Sequence, residues 1–191
     1  MSEKALEWRR KLFHLVLGSC ISAAVYFLKP IYGNLVILPL LLGVLVMLLI
    51  PRIRPNNRFS NKLLYHFERK KDIENFPFKG AIHYGVGVTF PILLLDLNQA
   101  CAVIIVLSVG DALSTLIGKF HGKMRIHQFG FKSIEGAMAF VMSAFLAALF
   151  FVDTRTAVKL AVVGAIVELL SPWDDNFTVP VVLTALLIFL P

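Results

Sequence analysis

The chain has 191 residues, 58% of them hydrophobic, and a mean hydropathy of +0.77, which excludes an ordinary soluble domain and fits one polytopic membrane bundle. Its formal charge of +7 is no nucleic-acid signal in such a chain; it reports orientation and attraction to anionic lipid. The two cysteines, Cys20 and Cys101, both fall in apolar runs and read as small core residues, with neither a disulfide framework nor metal-ligand spacing.

Seven apolar runs predict seven spans, at about 12–28, 35–50, 81–95, 100–117, 137–152, 157–170 and 177–190. Several are shorter than the roughly 20 residues of a spanning helix. Either flanking residues extend them, or one or two are broken where the backbone lines a cavity. With Gly80, Gly85, Gly87 and Pro91, the third run is the one expected to be irregular. The first run begins at Leu12, behind Glu7, Trp8, Arg9, Arg10 and Lys11, and has no small-residue cleavage site, so no cleaved leader is expected. All but three of the 19 Lys and Arg residues fall on one side of this arrangement, in the N-terminus and in residues 51–80 and 118–136. Only Lys29, Arg155 and Lys159 fall on the other. That excess predicts a cytoplasmic N-terminus and two cytoplasmic loops. The expected fold class is an all-α integral membrane protein, a polytopic helical bundle forming a single catalytic domain over residues 1–191.

In chain order, the first candidate feature is a stripe of Glu7, Lys11, His14 and Gly18, spaced for one helix face, with Arg10 beside it. Its plain reading is a juxtamembrane anchor; its functional reading is a polar face turned to a site. Within residues 51–80, Ser60 is placed to cap a helix carrying Leu63, Leu64 and Phe67, an amphipathic helix lying on the membrane. Its basic residues, Lys71 among them, read as lipid-facing. Lys79 stands just before the third run, where a lysine and free backbone N–H groups can hold a phosphate.

Asp111 is the sharpest signal, because a carboxylate inside an apolar span costs roughly 3 kcal/mol or more and marks an interior site. Ser114, Thr115 and Gly118 follow on its face. Two hydroxyls beside a carboxylate suit Mg²⁺ or a substrate alcohol. Lys119, Lys132, Ser133, Glu135 and Gly136 come next, and a lysine, a hydroxyl and a glycine at a helix start make an anion cradle. Glu135 there also favours the helix dipole. No Walker A pattern is present. Glu168 and Asp175 lie on a last stripe with Gly164 and Ser171, near Asp174 and Asn176. Oxygen ligands of this kind suit Mg²⁺ shared with phosphates; Asp174 reads as a helix cap.

Taken together, these pieces resemble the polyprenol kinase family of membrane enzymes, which includes dolichol kinases, phytol kinases and CTP-dependent diacylglycerol kinases. The matching residues are Glu7, Arg10, Lys11, His14 and Gly18, then Glu68-Arg69-Lys70, Lys79-Gly80-Ala81, Gly110-Asp111-Ala112, Gly118-Lys119, Lys132-Ser133 with Glu135-Gly136, Glu168, and Asp175-Asn176. The resemblance covers nearly the whole chain, and its specificity lies in order and spacing. It implies phosphoryl transfer from CTP to a lipid alcohol, in a membrane and with Mg²⁺; no residue by itself reads cytosine. The expected catalytic residues are Asp111, Glu168, Lys132 and Glu135. The expected nucleotide-binding residues are Lys79, Gly110, Gly118, Lys119, Ser133, Gly136 and Asn176. The expected metal ligands are Asp111, Glu168 and Asp175. The middle of the chain also resembles membrane CDP-diacylglycerol synthases. Their further His-Gly-Gly, Asp-Arg and Asp signature is missing, with the shorter stretch from Ser171 to Phe177 in its place. A transporter using Asp111 and Glu168 as an ion path is the third reading.

Overall fold

The computed structural model describes residues 3–53, 58–126, 132–171 and 173–190. Among these it is helical, apart from a single antiparallel bridge between Arg125 and Ser133. Helix α1, Glu3–Tyr32, is a rod of 30 residues, roughly 45 Å long at 1.5 Å per residue. A short tight turn, Gly33–Val36, reverses the chain into α2, Ile37–Ile53. Gly33 has φ 57°, a left-handed conformation that a side chain would strain, and this makes the hairpin possible.

The amphipathic segment of residues 51–80 forms α3, Arg58–Phe67, and α4, Lys70–Asn75. Ser60 lies inside α3 and so does not cap it; the side chains of Ser60, Leu63 and Lys71 lie outside the described residues. Leu64 is buried, and the Phe67 ring packs 4.7 Å from that of Phe13. Then follow α5, Lys79–Leu94, α6, Leu97–His121, α7, Ile134–Ala148, α8, Thr154–Leu170, and α9, Asp175–Phe189. The third apolar run, expected to be irregular, is one continuous helix. Its glycines serve packing: a Cβ at Gly87 would lie 2.9 Å from Pro180 Cγ of α9.

Helix α6 is the axis of the bundle and packs against α1, α5, α7, α8 and α9. Alanine, valine and leucine make its first half apolar all round, the pattern of a helix surrounded by others, with Asp111, Ser114 and Thr115 in the second half. α1 packs on α6, and α2 on α5. Large apolar side chains such as Phe27, Leu42, Phe150 and Phe189 stay exposed, a surface that suits lipid. Two helical runs among the described residues are long and apolar enough to cross a membrane, 4–53 and Leu97–His121; α7 and α9 are apolar but shorter. Length alone therefore does not give the seven spans. Cys101 is in the core as expected, whereas Cys20 faces outward.

Both ends of α1 are tied. Lys29 Nζ donates to the Ile92 and Leu95 carbonyl oxygens at 2.7 and 2.8 Å, closing the C-terminal end of α5. The other end carries the residues of the site.

Candidate active site

Three carboxylates from three helices meet at one end of the bundle. Asp111 stands within α6, Glu168 near the end of α8, and Asp175 opens α9. One oxygen from each lies within 4.8 Å of the others. Carboxylates this close repel unless cations join them. Lys11 Nζ donates to Asp111 Oδ2 at 2.6 Å, and His14 Nε2 lies 3.5 Å from the same oxygen. Lys132 Nζ donates to the Glu168 carbonyl oxygen, and stands 3.4 Å from Glu168 Oε1 and 3.3 Å from Asp175 Oδ2. Asp175 Oδ1 is buried with no hydrogen-bond partner among the described residues. A hard-oxygen set with an orphaned buried oxygen fits Mg²⁺.

A second acid gathers cations beside the first group. Glu7 is only 3% exposed, so its charge needs partners. Arg10 Nη1 and Arg69 Nε donate to its Oε1 at 3.1 and 2.7 Å, and Lys119 Nζ lies 3.4 Å from its Oε2. Glu7 thereby ties α1, the joint between α3 and α4, and the end of α6. The neighbouring Glu68 is buried too, and burial pushes its carboxyl up to about 7 against the pull of Arg10.

These groups surround a cavity of about 450 Å³. Six cations line it (Arg10, Lys11, Arg69, Lys79, Lys119 and Lys132) against four acids, so an anion is drawn in. Ser114 and Thr115 line it from the Asp111 face, as their spacing predicts. Lys79, Gly118, Ser133, Gly136 and Asn176 also reach the cavity. Ser133 Oγ accepts from Gly136 N at 3.1 Å and so caps α7. Phe78, with φ 61°, turns the chain from Pro77 into α5 and sets Lys79 at its first position. That conformation is unfavourable for a side chain of this size. Asp174 caps α9, as read from the sequence, and its Oδ2 lies 3.2 Å from His83 Nδ1.

Two expected site residues are placed elsewhere. Glu135 does not line the cavity; its carboxylate accepts from the N–H groups of Lys123 and Met124 at 2.9 and 3.0 Å and clips the preceding loop. Gly110 is turned into the core, where a Cβ would meet the Phe140 ring at 2.8 Å. Glu135 therefore has a loop-ordering part and Gly110 a packing part. Arg10, Lys11, Arg69 and Asp174 line the cavity without having been singled out as site residues. The stripe Glu7, Lys11, His14 was the available signal for the first two.

No family model matches the chain. No solved structure matches it. Among curated proteins, an uncharacterized protein of Methanocaldococcus jannaschii is 32% identical over 175 residues, which is 90% of this chain and 87% of that protein. A CTP-dependent diacylglycerol kinase of Eremothecium gossypii is 27% identical over 90% of this chain, which spans 63% of that kinase. A dolichol kinase of Schizosaccharomyces pombe is 26% identical over 75% of this chain and 30% of its own length. The chain belongs to one family with the Methanocaldococcus jannaschii protein, and its matched relatives of named activity are lipid kinases.

Proposed function

We propose that the chain is a membrane lipid-alcohol kinase that moves the terminal phosphoryl group of CTP to a polyprenol- or dolichol-like alcohol. The observation that carries this reading is one cavity holding three converging carboxylates and six cations. Phosphoryl transfer asks mainly for positioning and charge neutralisation. The names of the relatives support kinase chemistry, and one of them supports CTP as donor.

In this reading the alcohol oxygen attacks the γ-phosphorus, the bond to the β-phosphate oxygen breaks, and CDP leaves. The hydroxyl proton passes to Asp111. Arg10, Arg69 and Lys119, held in place by Glu7, neutralise the phosphate chain from one side, and Lys132 does so from the other. Asp111, Glu168 and Asp175 would hold Mg²⁺, which supplies Lewis-acid charge neutralisation of phosphate oxygens. The loops of residues 51–80 and 118–136 lie on the cytoplasmic side in this reading. A cysteine placed near Lys123 should react with an impermeant reagent only from the cytoplasmic face; reaction from outside would reverse the orientation.

CTP labelled at the γ-phosphate, offered with a prenol to the purified protein, tests the chemistry. A kinase moves the label to lipid and leaves CDP. With a prenyl phosphate as acceptor and CTP labelled in the cytidine, label in the lipid and release of pyrophosphate would instead mean cytidylyl transfer.

Lys132→Ala should raise the KM for CTP and leave that for the alcohol nearly unchanged. Loss of one charge-assisted contact costs roughly 1.5–3 kcal/mol, about tenfold or more in apparent affinity. Lys123 is exposed and outside the cavity, and Lys123→Ala is the matched control. Equal effects of the two substitutions in CTP saturation curves would remove Lys132 from the nucleotide site.

A further inference from the structure

A second cavity, of about 320 Å³, opens in the gap between α1 and α2 and is floored by α5. Its body is apolar, with Leu17 and Ile21 from α1, Leu40 and Val44 from α2, and Gly85 from α5. One end differs. There Arg10, Lys11, Asp111 and Asn176 line both this groove and the polar cavity, so the two spaces meet at Asp111. Around that junction three polar atoms are buried with no hydrogen-bond partner among the described residues: His14 Nε2, Glu68 Oε2 and Asn176 Oδ1. Glu68 is itself only 8% exposed. Buried polar atoms are rarely left without a hydrogen-bond partner, and leaving one so is costly.

We infer that this groove seats the hydrocarbon tail of the acceptor alcohol, with the hydroxyl end at Asp111. The inference rests on the kinase reading above and gives its acceptor a place. A wholly apolar occupant would leave these three atoms without a hydrogen bond, His14 Nε2 having only its 3.5 Å approach to Asp111 Oδ2. A wholly polar one would waste the apolar walls. An amphiphile with a small hydroxylated head satisfies both. It can face only one way, because the polar atoms gather at the Asp111 end. The orientation delivers the hydroxyl to the carboxylate that both cavities share, whereas Glu168 and Asp175 belong to the polar cavity alone.

Gly43 provides the test. It lines the groove, and a Cβ there would meet nothing within 4 Å. Gly43→Leu therefore starts its side chain in open space and extends it into the groove, and leucine is the better helix former. The expected result is a loss of roughly tenfold or more in kcat/KM for a prenol acceptor, with the KM for CTP unchanged. Leu42→Phe, on the exposed face of α2, should leave both unchanged. A second measurement does not depend on turnover. In a Cys20→Ala background, farnesol without nucleotide should slow alkylation of a Gly43→Cys variant, and dodecane, which lacks the hydroxyl, should do so less. Phosphorylation by the wild type with unaltered acceptor kinetics in Gly43→Leu would overturn the groove assignment and leave the kinase reading standing. No phosphorylation of any alcohol by the wild type would overturn both.

Discussion

Asp111→Asn should abolish phosphoryl transfer and leave a folded protein. Asparagine keeps the size and hydrogen-bonding capacity of the side chain and removes its charge. Lys11, 2.6 Å away, keeps an acceptor in the amide oxygen, so the contact between α1 and α6 survives. The amide lacks the charge that a metal needs and the basicity that the hydroxyl proton needs. Loss of a positioned base costs at least about a hundredfold in rate, and loss of a metal ligand adds to that. Turnover with CTP and a prenol, set beside the thermal unfolding of the purified variant, checks it. Near-normal turnover would make Asp111 a packing group.

Glu7→Gln should have the second largest effect, although Glu7 does not itself line the polar cavity. Three cations converge on its carboxylate within 3.4 Å, and the neutral amide leaves them to repel one another. Breaking a buried pair by removing one partner costs about 3–5 kcal/mol. The low end applies here, because the side chains of Arg69 and Lys119 are 50% and 35% exposed and water screens them. As a positioning residue, Glu7 should show itself in a split: the KM for CTP rises strongly, the KM for the alcohol little, and Glu7→Asp recovers part of the loss. Equal damage to both substrates, with no rescue by aspartate, would reduce Glu7 to a structural anchor.

The chemistry was more legible in the sequence than the architecture around it. Asp111 and Glu168 stand out because carboxylates are costly in apolar helices, whatever the fold, and Asp175 because it continues the Glu168 stripe. Their grouping as one metal set came from the family resemblance, since three stripes on three helices say nothing of mutual rotation. The pairing of Lys11 with Asp111 joins residues 100 positions apart and leaves no local pattern. Local rules failed in a consistent direction. The third run, expected to be irregular for its glycines and proline, is a continuous helix whose glycines serve close packing, and Glu135, set by its helix-start pattern in the anion cradle, binds the loop before it instead. The groove beneath Asp111 was invisible, because it is the space left by α1 and α2 packing on different partners.

Phe140 decides something the polar residues cannot decide for themselves. Its ring fills the space between α6 and α8, so close that a Cβ at Gly110 or at Gly164 would lie within 2.9 Å of it. Gly110 adjoins Asp111, and Gly164 is one turn before Glu168. The two acidic groups thus stand on helices held apart at that level by one ring in the apolar interior. The reach of the site is tuned mechanically, from below. A smaller side chain at 140, such as leucine, would let the two helices settle toward each other and change the carboxylate spacing with every charge still in place.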